Sequence, residues 1–429
     1  MARRLSLIAA LIAAAACALP AAAQAQSARY PPDAADADRE AETRSTLWES
    51  ALDPERQPYE ELVRDGRRAL DEQSEHGWQL AVDKLSDAIR RVPRDPRAYS
   101  WRGEAYLALR DWARCAGDLA AAEDRHPAPS PDHDRQELEL GICQGRAGRI
   151  ADAEQTLVHL VERAPRGETW LQLGEVRIAL GKLDEAIDAL TAALDKNDGQ
   201  SIVAHWLLAS AYDRARRPTN AETEAQLAIS RDITLSALVN PIYPWIGRGE
   251  SDYLMGLAYS TATAGGIDAN PDYALVYFRH FIAVAPDSPW KRRVDEHVRA
   301  ILRRPLPQAV VRNSSSSAVV ETALMRPALE RAMPALRACV AKQPTAAYRI
   351  TIVKDGPRTS EPTPDQSRYA MRPQSVKAEL GIDVGTPAVE AATVEATRAC
   401  LEPLAARIAL PIPKERDTWY QVSFSVIAP

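Results

Sequence analysis

The sequence predicts a mainly helical protein, in which an α-solenoid of about five to six helix pairs precedes a small α+β domain. A thirty-odd-residue self-similarity runs from about Leu62 to about Pro286, and a fixed period of this kind is typical of stacked helical repeats. After a break rich in Pro and Ser, the apolar residues alternate with a period of two, which indicates strands.

Small residues mark the positions where the two helices of each repeat approach closely. In the clearest copy, Trp170 and Gly174 lie on the first helix, and Ala186 and Ala193 lie on the second. A neighbouring copy ends at Pro127, because proline cannot continue a helix. The remaining copies keep this spacing, with the markers Gly103, Tyr106, Cys115 and Leu119; Gly141, Ala153 and Leu157; Ala209, Tyr212, Ala221 and Ala225; and Gly256, Tyr259, Ala274 and Phe278.

This spacing resembles the tetratricopeptide repeat (TPR) over roughly half of the chain. One helix pair cannot bury its apolar face alone, so about three or more copies must stack to form a continuous core. The predicted solenoid spans residues 47–304. Its last segment, 288–303, is strongly charged and is expected to close the stack with a solvated outer face.

The first 25 residues have the pattern of a secretory signal peptide. Two arginines precede an apolar stretch over 5–19, and Ala23-Gln24-Ala25 supplies a small-x-small cleavage site. We therefore expect a periplasmic or secreted protein whose mature chain starts at Gln26. An outer-membrane lipoprotein acylated at Cys17 is the alternative, which Ala14 disfavours because such sites usually have Leu at that position.

Charge and hydropathy argue against nucleic-acid and membrane-spanning classes. The formal net charge is −6 at pH 7, whereas a nucleic-acid partner needs a basic surface that neutralises phosphates. After the signal peptide, no segment approaches the ~20 consecutive apolar residues of a membrane helix. Residues 26–46 are acidic and poor in large apolar residues, so we expect a disordered lead-in.

A second domain is predicted over residues 319–429, after a polar linker over 305–318 that is rich in Pro and Ser. The order helix, strand, strand, helix, strand makes a small α+β sandwich. A proline-rich stretch, 358–373, is expected to form a long mobile loop between the first two strands. The predicted elements are helix 319–342, strand 348–354, strand 376–383, helix 388–408 and strand 419–426.

Five features give this domain a family resemblance: the helix of Cys339, the Asp355-Gly356 turn, the helix of Cys400, the Leu410-Pro411 break and strand 419–426. Together they resemble the AgmX/PglI carboxy-terminal domain and, more distantly, the TonB-type carboxy-terminal domain. The sequence departs from these domains by its proline-rich insert and by the absence of the anchor that TonB-type energy transducers require. The resemblance implies an exported interaction domain of the bacterial envelope, associated in some species with motility or envelope machinery.

The sequence contains no motif with a catalytic mechanism attached. A Gly-rich phosphate loop, His-Glu-x-x-His, Cys-x-x-Cys and Gly-x-Ser-x-Gly are all missing, so we expect a protein without catalytic residues, metal or cofactor. The best metal candidate is the segment with His126, Asp132, His133 and Asp134. A hydrated loop accounts for this cluster without a metal, because ligands on a loop lack a rigid geometry.

Cysteine positions predict disulfides. Removal of the signal peptide leaves four cysteines in an oxidising compartment. Cys339 and Cys400 lie on the two helices of the terminal domain, and helices on one face of a small sheet pack side by side, so we expect a disulfide there. Cys115 and Cys143 lie on consecutive helices of neighbouring repeats, where a disulfide and a buried free thiol remain alternatives.

The TPR resemblance also implies a concave groove lined by the first helix of each pair. The Lys and Asn residues that grip a terminal carboxylate in chaperone-tail clamps are not reproduced. Trp206 and Tyr253 are the expected anchors because aromatic groups dominate interfaces, and packing against the next helix is the alternative for both. The predicted partner-binding residues are Arg97, Glu104, Leu138, Arg146, Glu175, Trp206, Asp213, Arg214 and Tyr253, and the same row includes Arg135, Glu168 and Leu171.

These patterns predict an envelope scaffold that binds protein partners through the groove and through the terminal domain. The expected partners are envelope or periplasmic proteins. The alternative is a ligand-sensing regulator or accessory subunit of a cell-wall or secretion enzyme, with a small ligand or glycan in the groove.

Overall fold

The structure is a computed structural model that describes residues 55–125, 131–196, 201–239, 243–261, 269–303, 310–313, 322–355, 375–385, 388–411 and 419–429. The predicted signal peptide, the lead-in and the proline-rich loop over 358–373 lie outside these residues. Within them, no helix is long and apolar enough to cross a membrane.

The repeat block forms six helix pairs, as the sequence predicts. The pairs are α1 (Arg56–Asp71) with α2 (Glu75–Arg91), α3 (Pro96–Ala108) with α4 (Trp112–Glu123), α5 (Pro131–Arg146) with α6 (Ile150–Arg163), α7 (Gly167–Ala179) with α8 (Leu183–Lys196), α9 (Ser201–Arg214) with α10 (Pro218–Arg231), and α12 (Glu250–Ser260) with α13 (Pro271–Val284). A short helix, α11 (Ser236–Val239), precedes the sixth pair, and α14 (Lys291–Leu302) packs against α13 at the end of the stack.

A glycine on the first helix lets the second helix approach in five of the six pairs. At Gly174, an added Cβ would lie 2.5 Å from Leu190 Cγ, so only a residue without a side chain fits there. The equivalent contacts are Gly66 with Leu85, Gly103 with Leu119, Gly141 with Leu157, and Gly256 with Phe278. The glycine spacing in the sequence therefore reflects helix–helix contact in these five pairs.

Polar caps fix where several of these helices begin. The Ser74 side chain accepts a hydrogen bond from the Gly77 N–H at 3.0 Å, and Asp95 and Asn270 cap α3 and α13 in the same way. Each cap satisfies a backbone N–H that has no partner inside the helix.

The terminal domain is a four-stranded antiparallel sheet with two helices on one face. Its elements are β1 (Val310–Asn313), α15 (Thr322–Val340), β2 (Ala346–Asp355), β3 (Ser375–Asp383), α16 (Ala391–Ala406) and β4 (Trp419–Ile427), and the strand order is β1-β4-β2-β3. Alternate residues of β2 and β4, such as Tyr348, Ile350 and Phe424, are buried against α15 and α16.

The first strand corrects one prediction. The linker predicted over 305–318 contains β1, which pairs with β4 from Val310 opposite Ser423 to Asn313 opposite Tyr420. The surrounding Pro and Ser residues indicated a linker, but two adjacent valines in this stretch have a high strand propensity. Pairing also covers an edge of β4 that would otherwise expose unpaired backbone groups.

The repeat block and the terminal domain share an interface. The Arg279 guanidinium of α13 donates hydrogen bonds to the main-chain oxygens of Ala428 at 2.8 Å and Pro429 at 2.9 Å. An apolar cluster from both parts lies beside these bonds, with buried Tyr273, Leu275, Val276, Ala347 and Ile427. The two parts are therefore packed together, a contact that the predicted polar linker does not indicate.

Two disulfides join neighbouring helices. Cys339 of α15 is bonded to Cys400 of α16, which confirms the predicted bridge. Cys115 of α4 is bonded to Cys143 of α5, which decides between the two alternatives in favour of a disulfide. This second bond links consecutive repeats covalently.

Candidate functional site

The concave face of the solenoid is lined by the first helices, and ion pairs join each of these helices to a neighbour. Arg97 of α3 makes a two-pronged contact with Glu60 of α1, at 3.0 and 2.7 Å. In the third and fourth pairs, Arg146 lies 2.8 Å from Glu175. Arg214 of α9 pairs with a glutamate of α12 at 2.7 Å. Predicted groove residues thus hold the repeats together, and their acidic partners lie about one repeat away in the sequence.

The amino-terminal half of the concave face, formed by α1, α3 and α5, is partly open to solvent. The side chain of Arg97 is 36% exposed, and those of Glu104 and Arg135 are each 25% exposed. Trp101 is half-buried in the same half, with the Arg67 guanidinium carbon 5.6 Å from its ring centroid. We call this surface, with these five residues, the open half.

One carboxyl group beside the open half has a perturbed acidity. Glu139 accepts a hydrogen bond from Arg135 at 2.8 Å, and its other oxygen is buried without a hydrogen-bond partner. Burial raises the pKa of Glu139 to about 7; the nearby charges of Glu104 and Glu168 add to the rise and Arg135 opposes it.

The carboxy-terminal half of the concave face is filled by the chain itself. Trp206 and Tyr253, the expected anchors, are both 0% exposed and lie in one apolar cluster with Phe278 and Phe281. They pack against the next helices, as in the alternative interpretation, because α12 to α14 stack over α9. Neither side chain is available as a partner anchor in this structure.

Asp213, another predicted groove residue, is bound from inside the protein. Arg293 of α14 donates to Asp213 at 2.6 Å, His297 lies 2.8 Å from it, and the Tyr253 hydroxyl donates to it as well. Burial alone would raise the pKa of Asp213, but the hydrogen bonds from His297 and Arg293 bring the pKa well below its ordinary value. The charge of α14 therefore docks this helix, which corrects the expectation that it is only a solvated outer face.

An irregular segment, residues 243–249, crosses the concave face, and we call it the strap. The Tyr243 hydroxyl donates a hydrogen bond of 2.6 Å to Glu175 Oε2, and the Ile246 main-chain N–H donates one of 2.6 Å to Glu175 Oε1. The Arg146 guanidinium carbon lies 5.3 Å from the Tyr243 ring centroid. With the strap in place, the side chains of Arg146 and Glu175 are each only 3% exposed.

The strap also inserts a side chain between the repeats. Ile246 is buried in an apolar cluster with Leu157, Leu173 and Val176, which belong to α6 and α7. A Cβ on Gly145 of α5 would lie 3.0 Å from Ile246 Cδ1, so the missing side chain at this position makes room for the strap. Nothing in the repeat pattern predicts the strap, since it lies between two copies.

A cavity of about 310 Å³ lies between the strap and the turn that follows α13. Its wall combines Leu207, Phe281 and Trp290 with the guanidinium of Arg214. The strap contributes Arg248, which is exposed.

The other predicted groove residues divide by burial. Leu138 is half-buried against an apolar cluster, Leu171 is buried, and Glu168 is exposed.

The suggested metal cluster takes a different form in the structure. Of its four residues, His133 comes together with Glu123 and Glu137, and their ligand atoms lie within 4.8 Å of one another. Arg163 and His159 already contact the two oxygens of Glu137, the latter at 2.7 Å. Glu137 therefore already belongs to an ion-pair network between α5 and α6.

Comparisons with known proteins agree with the helical pattern. A family model described as tetratricopeptide repeat matches residues 67–134, 138–202 and 171–234. The matched residues therefore contain tetratricopeptide repeats, whose curved stacks present extended surfaces for protein partners. The match does not reach the terminal domain, so the AgmX/PglI resemblance stays a prediction.

Solved structures with similar folds are distant. MamA from Desulfovibrio magneticus RS-1 is 19% identical, with a TM-score of 0.37, covering 41% of this chain and 96% of its own. YrrB, described as a TPR protein with an unusual peptide-binding site, is 18% identical with a TM-score of 0.33, covering 37% of this chain and 81% of its own. The Cut9–Hcn1 complex shows 13% identity and a TM-score of 0.36, covering 57% of this chain and 46% of its own. No curated protein matches the chain.

Proposed function

We propose that this protein is an exported scaffold of the bacterial envelope that holds an envelope protein on the open half. The observation that carries this proposal is the contrast within one concave face. Charged and aromatic side chains of α1, α3 and α5 remain partly accessible, whereas Glu175 of α7, Trp206 of α9 and Tyr253 of α12 are buried by the strap and by the last helices.

The charges of the open half suit a partner that carries both acidic and basic side chains. Its arginines and glutamates alternate across neighbouring helices, with Arg67 and Arg135 each 3.5 Å from Glu104. The side chains of these pairs are each 25% exposed, so a partner can reach part of each charge and pair with it at the edge of the groove. Trp101 adds an aromatic surface, a residue type that is enriched in binding hot spots.

The charge pattern can be tested by reversal. Arg135→Glu should reduce capture of the envelope partner from a native periplasmic or membrane extract, because it turns a cation of the open half into an anion. Arg114→Glu is the matched control, since Arg114 lies on the second helix α4 and is 65% exposed. Equal capture by both variants, with unchanged circular dichroism, would move the binding site away from the open half.

Export and a role for the terminal domain form the finer part of the proposal. Two disulfides are typical of an oxidising compartment, which supports a periplasmic or secreted location. The sheet ends in two edge strands, β1 and β3, and an edge strand can accept a partner strand by β-augmentation. Cell fractionation with mass spectrometry of the mature amino terminus tests the location, and cleavage before Gln26 is the expected result.

The cavity beside the strap supports a second candidate function, a regulator or accessory subunit that senses a small ligand. Its volume of about 310 Å³ is at the lower end of the range for small-molecule sites. Native mass spectrometry of the protein purified from its own periplasm should then show a bound small molecule. A mass equal to that of the mature chain alone contradicts this second function.

A further inference from the structure

The strap contacts the concave face as a bound peptide would. It has no helix or strand of its own, and it reaches the first helices α5 and α7 across the groove. One main-chain N–H, from Ile246, and one side-chain hydroxyl, from Tyr243, bind the two oxygens of Glu175. A branched aliphatic side chain fills the space above Gly145. Extended segments are recognised by this combination of backbone hydrogen bonds and side-chain pockets.

The surface under the strap has buried polar groups that bind the strap directly. The carboxylate of Glu175 takes a cation, Arg146, from the neighbouring helix, and it accepts both strap hydrogen bonds. Burial and the charge of Glu175 raise the pKa of the Tyr243 hydroxyl well above its ordinary value, so this group stays a hydrogen-bond donor. Gln172 donates a further bond of 3.3 Å to the same hydroxyl. Three polar side chains, those of Glu175, Gln172 and Arg146, therefore contact the tyrosine in this site.

The strap joins the short helix α11 to α12, whose N-cap is Gly249. It follows α11, a helix of four residues, and it ends in two glycines with positive φ, Gly247 at 96° and Gly249 at 78°. Glycine adopts these backbone angles without the steric cost that other residues meet. The strap can therefore leave the groove while the helix pairs on either side keep their own contacts.

We propose that the carboxy-terminal half of the concave face is a second peptide-binding groove, which the strap occupies in cis. The groove fits an extended partner segment that carries a tyrosine and, three positions later, a branched aliphatic residue, as in Tyr243 and Ile246. This inference rests on the proposed function as a protein-binding scaffold, and it concerns a different surface from the open half. A partner segment with this chemistry binds when it displaces the strap.

The cis strap competes with any free segment because a tethered ligand acts at a high effective concentration, on the order of millimolar for a short flexible connection. The test therefore uses a weakened strap. The probe is a fluorescent peptide with the sequence of residues 241–249, Pro-Ile-Tyr-Pro-Trp-Ile-Gly-Arg-Gly. The protein is the full mature chain with Tyr243→Ala, whose circular dichroism and melting curve establish that it is folded.

Fluorescence anisotropy should show saturable binding of the peptide to this variant, and binding to the wild-type protein that is at least about tenfold weaker. Gly145→Val in the same background should abolish binding, because its side chain takes the space of Ile246. A peptide with alanine at the tyrosine position should bind weakly to all forms. If Tyr243→Ala does not fold, Ile246→Ala replaces it with the same expectations.

Three results would overturn the proposal: no peptide binding to a folded strap variant, equal binding to the wild-type protein, or binding that Gly145→Val leaves unchanged. These results can be distinguished from failure of the proposal that the open half binds a protein partner. Arg135→Glu should leave peptide binding intact, whereas Gly145→Val should leave partner capture by the open half intact.

Discussion

Glu175 both stabilises the fold and forms part of the proposed peptide-binding groove. Its carboxylate lies under the strap, paired with Arg146 at 2.8 Å and hydrogen-bonded to Tyr243 and the Ile246 N–H. A buried charge of this kind is tolerated only when its partners are all present. The repeat pattern predicts Glu175 as a groove residue, but it gives no sign that Tyr243 and Ile246 of the same chain bind its carboxylate.

We predict that Glu175→Ala lowers the free energy of unfolding by about 3 kcal/mol or more, because the change leaves the Arg146 guanidinium buried and without its counter-ion. Glu162→Ala on α6 is the control, since Glu162 is exposed and a surface change should stay within about 0.5 kcal/mol. Urea denaturation measures both. A loss at Glu175 no larger than at Glu162 would contradict the role of the buried pair.

A second residue-scale prediction concerns pH and Glu139. Its pKa is about 7 in the folded protein against an ordinary value of 4.5, so between these values the folded state binds more protons than the unfolded state. Ionisation of Glu139 therefore lowers stability as pH rises through this window. Glu139→Gln cannot ionise, and at about pH 8 it should be more stable than the wild type by an amount on the order of 1–3 kcal/mol.

The same comparison at about pH 4.5 is the internal control, because the carboxyl is then largely protonated in the folded state and the difference should shrink. Thermal melts at several pH values give both numbers. A Glu139→Gln protein that is less stable than the wild type at pH 8 would show that the Arg135 pair outweighs the cost of burial.

At the scale of the elements, regular structure was predictable and the exceptions have physical reasons. Helix pairs were predictable because glycine and alanine spacing reports a contact repeated in each copy, as at Gly174 and Gly256. The strap was not, because its seven residues contact helices that lie about 70 to 100 residues earlier in the chain. The β1 strand was missed because four residues are too few to show an alternation of period two.

The Cys339–Cys400 disulfide joins two helices that cover the sheet, so its loss should loosen the whole terminal domain. In the chain-entropy model, closing a loop of 61 residues stabilises by up to roughly 4 kcal/mol. We predict that Cys400→Ser increases amide hydrogen exchange in α15, α16 and β2.

Because α13 packs on this sheet through Val276 and Arg279, its exchange should rise as well, while that of α3 stays unchanged. Unchanged protection in α13 would mean that the interface between the two parts contributes little to the stability of the last repeat.

At the scale of the whole molecule, the groove and the terminal domain form one connected body. The last helix pair contacts the strap side through Gly249 and Phe281, and the terminal sheet through Tyr273 and Arg279. The sequence indicates two domains, since its pattern changes at the linker, but composition cannot report a contact between surfaces that are distant in the chain.

The interface itself is open to test. Val276 is 0% exposed between α13 and the sheet, so Val276→Asp should bury an unpaired charge and separate the two parts. Small-angle X-ray scattering should then show a larger radius of gyration than for the wild type. Val239→Asp is a control at an exposed apolar residue, and it should leave the radius unchanged.

The central claim is that partner binding takes place on the open half of the concave face. Site-specific photo-crosslinking in the native envelope tests it most directly, with p-benzoylphenylalanine placed at Glu104 in the open half or at Arg114 on the outer helix α4. We expect a discrete crosslinked partner from position 104 and none from position 114. A partner captured from position 114 and not from position 104 would contradict the account.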